Sequence, residues 1–209
     1  MNGTYTDHLD FVLEGGSIES DGHGTLLTTS ECLLSANRND RLNRADIEER
    51  LKSFLHVERV LWLDHGYLSG DDTDSHIDIL ARFCDPETIT YLKSDNPKDP
   101  DYESLMNMEA QLQSFRTLDG KPYRLVPLPK PEQMFLDDYP LPASYANFLI
   151  TNRAVLVPGS GSELDEVART RLQEVFPDRE VIVIDCRPLL SGHGGLHCVT
   201  MQFPEGWLE

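Results

Sequence analysis

The feature that most constrains this chain is a pattern met three times: extended segments, then an amphipathic helix, then one further strand. Helical periodicity predicts helices over 44–55 (RADIEERLKSFL), 101–116 (DYESLMNMEAQLQSFR) and 162–175 (SELDEVARTRLQEV). Each is followed by a short run rich in β-branched or aromatic residues, at 59–64 (RVLWLD), 123–129 (YRLVPLP) and 180–186 (EVIVIDC). Each is preceded by extended segments, at 24–34, 77–92 and 145–158. One ββαβ unit cannot bury both faces of its sheet, so a chain built this way has to stack its units. The predicted fold class is α/β, a propeller-like arrangement of ββαβ repeats whose residue identity from unit to unit is low.

Local signals fit that plan. Asn43 stands where an N-cap is needed, and Ile47, Leu51, Phe54 and Leu55 fall at helical spacing behind it. His56 ends the same helix as a C-terminal cap. SDGHG, within 13–27, carries the turn residues of a hairpin. Two stretches rich in Pro and Asp, 93–102 and 128–145, are predicted to be surface connections, with the second long enough for a lid.

Composition narrows the function classes. The chain is 39% hydrophobic and 26% charged, and no apolar run approaches the roughly 18 residues of a membrane span. Residues 1–13 carry neither a basic region nor a long apolar one, so no secretory signal is read there and a cytoplasmic location is expected. With 36 acidic against 18 basic residues and a net charge of −18, the surface should repel nucleic acid and anionic membranes and attract cations. Cys32, Cys84, Cys186 and Cys198 are scattered without a C-x-x-C pair, which argues against a disulfide framework or a zinc ribbon.

The chemistry-bearing motifs are few. GDDTDSHID, 70–78, crowds four aspartates around His76. It fails as an EF-hand loop, lacking Gly at the sixth position and Glu at the twelfth. Cys198 lies in SGHGGLHCVTMQFP, where a glycine-rich loop enters an apolar stretch and backbone N–H groups would stand near the thiol. Cys32 and Cys84 read as small core residues, and Cys186 as core or reactive. A thiolate needs an acid/base partner, for which His76 is the first candidate; His8, His23, His65, His193 and His197 are the others, the last two close enough to Cys198 to shape its loop instead. His193, His197 and Cys198 match no zinc template, and H-E-x-x-H is absent. Glu14, at the entry of the hairpin and ahead of Gly15 and Gly16, is a further candidate.

VLEGGSIESDGHGTLLTTSECLLSANRN, VLWLDHGYLSGDDTDSHIDILARF, PASYANFLITNRAVLVP and GGLHCVTMQFP together resemble the agmatine deiminase and bacterial-type peptidylarginine deiminase family of guanidine-modifying enzymes, from about residue 11 to 204. The resemblance implies a pentein-type propeller of five ββαβ blades with the active site in the central channel. It implies Cys198 as the nucleophile, His76 as general acid/base, Asp78 as a carboxylate gripping the guanidinium, Glu14 as the carboxylate partner of the histidine, and Asp72 as an acidic residue lining the pocket. No metal or organic cofactor is expected. The implied reaction is hydrolysis of a cationic guanidinium substrate through an amidino-cysteine adduct, agmatine giving N-carbamoylputrescine and an arginine residue giving citrulline.

The family also carries an upstream Arg-Asp stretch whose aspartate completes the guanidinium clamp, and no counterpart stands ahead of Glu14. Together with three units where five are implied, this predicts that 1–209 forms one domain holding about three of five blades, the last three-fifths of a family member. A homo-oligomer or a complementing N-terminal polypeptide is then the expected partner. The alternatives are an inactive fragment, a noncatalytic binding module, and an amidinotransferase that uses the same residues.

Overall fold

The computed structural model describes residues 8–203; MNGTYTD, the first part of the stretch read as free of a secretory signal, lies outside the described residues. The ββαβ pattern is realised three times. The first unit holds β1 (Ile18–Ser20), β2 (Thr25–Thr29), the single-turn α1 (Ser30–Leu33), α2 (Arg44–Leu55) and β3 (Arg59–Leu63). The second holds β4 (Ala81–Asp85), β5 (Thr88–Lys93), α3 (Tyr102–Ser114) and β6 (Arg124–Pro129). A hairpin, β7 (Met134–Leu136) and β8 (Tyr139–Leu141), leads to the third, with β9 (Leu149–Ile150), β10 (Ala154–Gly159), α4 (Leu164–Val175) and β11 (Glu180–Asp185), after which comes the short α5 (Arg187–Leu190).

Each unit forms a separate three-stranded sheet, ordered β1-β2-β3, β4-β5-β6 and β9-β10-β11. In all three, the first pair of strands is antiparallel and the second pair parallel. A parallel neighbour needs a crossover, and α2, α3 and α4 are those crossovers.

The first two sheets are buried on both faces, which explains why their middle strands read as continuous apolar or threonine runs instead of alternating ones. Neighbouring strand residues go to opposite sides. Leu26 enters a cluster with Ile47 and Leu51 of α2, and Leu27 joins Leu105, Met108 and Leu112 of α3. Likewise Leu128 of β6 packs with Ala168 and Leu172 of α4. Each crossover helix thus closes its own sheet, and α3 and α4 also cover the back of the preceding one.

The start of α2 follows side-chain chemistry. Asn43 accepts from the backbone N–H of Ala45 and Asp46 while Asp46 reaches back to the Asn43 N–H, a complete capping box. His56 ends α2 in the left-handed region, with φ 53°.

Two expectations need correction. The segment 24–34 is extended only to Thr29, whose side chain accepts from the Cys32 N–H and starts α1. The segment 128–145 is no mere surface connection: it contains β7 and β8, and its two ends are anchored. Lys130, with only 5% of its side chain exposed, pairs with Asp99 and Asp101 at 2.9 and 3.1 Å, and Ala143 and Tyr145 are buried.

Candidate active site

A cleft of about 570 Å³ collects Glu14, Asp72, His76, Asp78, His193, His197 and Cys198 from segments far apart in sequence. All five residues named in advance as site candidates border it. Their placement has a regularity. Glu14 lies just ahead of β1, His76 and Asp78 just ahead of β4, and Asn147 just ahead of β9, so the lead-in to each unit's first strand delivers the polar side chains.

The GDDTDSHID motif resolves into four different aspartates. Asp71 is the turn builder, accepting from the Thr73 N–H, the Thr73 hydroxyl and the Ser75 N–H. Those bonds carry Asp74 and Ser75 through the left-handed region, at φ 60° and 61°, and present His76 at the start of a 3-10 turn, Ile77–Ile79. Asp72 is exposed at the cleft edge. Asp74 is bound to Arg38 at 2.7 Å.

Asp78 is the buried one, at 1% exposure. Its Oδ2 accepts from His197 Nδ1 at 2.8 Å and from the Asn147 amide at 3.1 Å, and lies 3.8 Å from Cys198 Sγ. Its Oδ1 is buried and has no hydrogen-bond partner among the described residues. A buried carboxylate oxygen left unpaired is costly, so this atom marks where a donor belongs.

Cys198 stands in the 3-10 turn His197–Val199. The Asn147 amide nitrogen approaches its sulfur to 3.3 Å while the amide oxygen takes the His197 N–H at 2.9 Å, tying the nucleophile loop to the third unit. Gly195 is needed for that contact: a Cβ there would sit 2.3 Å from Asn147 Oδ1. Cys198 is an exposed residue, yet desolvation of its sulfur in the cleft and the negative charge of Asp78 push the thiol above its ordinary value, against the lowering effect of the Gly195 N–H and the Asn147 amide. The anion beside the sulfur thus favours the thiol over the thiolate.

His76 and Glu14 face each other, Nε2 to Oε2, at 3.5 Å. Arg38, with 8% of its side chain exposed, donates to both oxygens of Glu14, at 2.5 and 3.2 Å. It also donates to the Thr73 carbonyl at 2.8 Å, so it ties Glu14 to the His76 loop. Burial alone would raise the Glu14 carboxyl, but Arg38 and His76 hold it below its ordinary range. Gly16 brings the backbone against the histidine, since a Cβ at this position would be 2.6 Å from His76 Nδ1.

Cys32 is buried beside this pair, as the reading of it as a core residue requires, with its thiol pushed up to about 12 by burial. Glu14, Cys32 and His76 offer ligand atoms within 4.8 Å of one another, but a cation among them would have to displace the Arg38 pair from Glu14. Cys84 is half-buried and Cys186 buried, away from the cleft.

Sequence reasoning missed Asn147 and Arg38. The signal for Asn147 was positional: it precedes the first strand of the third repeat as Asp78 precedes that of the second.

A family model for Porphyromonas-type peptidyl-arginine deiminase matches residues 2–204. The agmatine deiminase of Stutzerimonas stutzeri (strain A1501) is 38% identical over 212 residues, covering 93% of this chain and 57% of that protein. Among solved structures, a Porphyromonas gingivalis protein provisionally called an arginine deiminase is 58% identical with a TM-score of 0.93, over 95% of this chain and 58% of that one. The agmatine deiminase of Enterococcus faecalis is 34% identical with a TM-score of 0.88, over 94% and 58%. The chain thus spans less than two thirds of the length of these relatives. Within that span, the pentein-type fold of ββαβ units and the matched family model lead to one assignment: the chain belongs to the Porphyromonas-type peptidyl-arginine deiminase family.

Proposed function

We propose that this chain carries the reacting half of a hydrolase that deiminates a guanidinium substrate, agmatine to N-carbamoylputrescine and ammonia. The observation that carries this reading is the unpaired, buried Oδ1 of Asp78 beside the Cys198 sulfur. A planar cation with N–H donors satisfies that oxygen and sets its central carbon against the thiol. The cation also offsets the negative charge that keeps Cys198 protonated, so substrate itself favours the thiolate.

Cys198 gives its proton to His76 as the sulfur adds to the guanidinium carbon, and His76, oriented by Glu14, passes a proton to the departing nitrogen, whose C–N bond breaks to release ammonia. The amidino-cysteine adduct keeps one C–S bond. Water, deprotonated by His76, adds to the same carbon, the C–S bond breaks, and a ureido product and the free thiol result. Asp72, at the exposed edge, faces the outer part of the substrate.

A second reading, deimination of free or peptidyl arginine to citrulline, is favoured by the 58% likeness to the Porphyromonas gingivalis protein. We further read 1–209 as one domain working with a second copy or a complementing polypeptide. All four cysteines are free thiols, as a reducing cytoplasm would keep them. Among the described residues no helix is long and apolar enough to cross a membrane.

The test is ureido-product formation from agmatine, free arginine and a blocked arginine peptide. Turnover of one of them, abolished in Cys198→Ala, is expected. Absence of turnover both in this chain and in an N-terminally extended version, with no adduct on Cys198 by mass spectrometry, would sink the enzyme reading.

A further inference from the structure

Behind the nucleophile loop, Arg82 is buried at 2% exposure and most of its donors are spoken for. Nε donates to Glu19 Oε2 at 2.7 Å, and Nη1 to the Phe148 carbonyl at 2.7 Å. The guanidinium also stacks 5.0 Å over the Phe148 ring. Glu19 is itself buried, and its other oxygen takes the Phe83 N–H at 3.2 Å. The remaining nitrogen, Nη2, lies 3.5 Å from His197 Nε2.

Guanidinium groups only donate. The imidazole nitrogen facing Arg82 must therefore present its lone pair, which leaves the proton on Nδ1, 2.8 Å from Asp78 Oδ2. The opposite tautomer would set an N–H against the Arg82 donors and a lone pair against a carboxylate, two repulsive contacts in a buried place.

We propose that Arg82, held by Glu19, is a positioning residue that fixes the Nδ1–H tautomer of His197 and through it the substrate-gripping orientation of Asp78. Oδ2 is occupied by His197 and Asn147, and Oδ1 is left for the ligand. The histidine next to the nucleophile is thus a hydrogen-bond donor to the carboxylate and takes no proton from the reacting atoms. The inference rests on the guanidinium reading of the cleft.

The decisive measurement is independent of turnover: nitrogen-15 spectra of histidine-labelled chain, which distinguish the two neutral tautomers and the doubly protonated ring, with His197→Asn used to assign the signal. The Nδ1–H tautomer of His197 is expected. An Nε2–H signal overturns the proposal whatever the enzyme does.

Glu19→Gln/Arg82→Met, which removes both members of the buried pair together, should give a mixture of tautomers. It should raise KM by about tenfold or more while kcat changes by less than about threefold. A fall in kcat with KM unchanged overturns the positioning role. If that variant does not fold, His197 carries the test. His197→Asn, whose amide reaches the place of Nδ1–H, should hold KM within about threefold, and His197→Leu should raise it about tenfold; equal KM values in the two overturn the proposal.

Should no substrate turn over, the dissociation constant of agmatine replaces KM. A cleft that binds no guanidinium compound defeats the functional reading, while the wild-type spectrum still decides the tautomer.

Discussion

At Gly16 the backbone lies directly against the His76 imidazole. With its absent Cβ only 2.6 Å from His76 Nδ1, Gly16→Ala must push the imidazole away from Glu14. Loss of activity by about 10²-fold is expected from a displacement of that size, with an unchanged circular dichroism spectrum and melting temperature as the control. Cys198 offers a pH test. Its thiol is held above the ordinary value by burial and by Asp78, so iodoacetamide should react slowly at neutral pH and faster as pH climbs, with a midpoint above that of a free thiol. Asp78→Asn removes the anion and should bring the midpoint down. Five residues that border the cleft stood out in sequence because their motifs are compact: EGG, DDTDSHID and GGLHC each announce unusual backbone or charge. Asn147 and Arg38 were not, since an asparagine in YANFLITN and an arginine in SANRN look ordinary until the fold sets them beside Asp78 and Glu14.

At the scale of elements, the capping box of α2 is remote from the cleft. Asn43→Ala should cost about 1 kcal/mol in urea unfolding and leave kcat and KM alone. The Arg38 cluster behaves differently. Glu14 is held below its ordinary range by Arg38 and His76 in spite of burial, and Asp74 by its hydrogen bond to Arg38. Lowered carboxyl values mean stability that is present above the unfolded-state pKa and lost as pH falls through the folded one. Urea midpoints measured from about pH 6 down to about pH 3 should therefore drop, and Arg38→Gln should flatten that dependence. Helix and strand boundaries were legible because capping and periodicity are local. The α1 turn and the hairpin β7–β8 were not, because a single side-chain bond at Thr29 decides the first and the burial of Lys130 with its aspartates holds the base of the second.

For the molecule as a whole, the net charge of −18 surrounds a cleft for which a cationic substrate is proposed. Raising ionic strength from about 0.05 to about 0.5 M should increase KM several-fold without changing kcat, since screening removes long-range attraction and leaves contact geometry intact. The repeat plan was visible in sequence as spacing; the interlocking of the units was not, because nothing in RVLWLD tells which helix will cover Leu63. That interlocking shapes how the molecule fails. Glu14, His76 with Asp78, and Asn147 come from three different units, so catalytic competence is a conjunction, true only while every unit is docked on the next. A small slip between two intact units would erase it and leave every helix in place. Function should thus vanish at denaturant concentrations too low to melt anything a spectrometer can see, making turnover the most sensitive strain gauge the protein possesses.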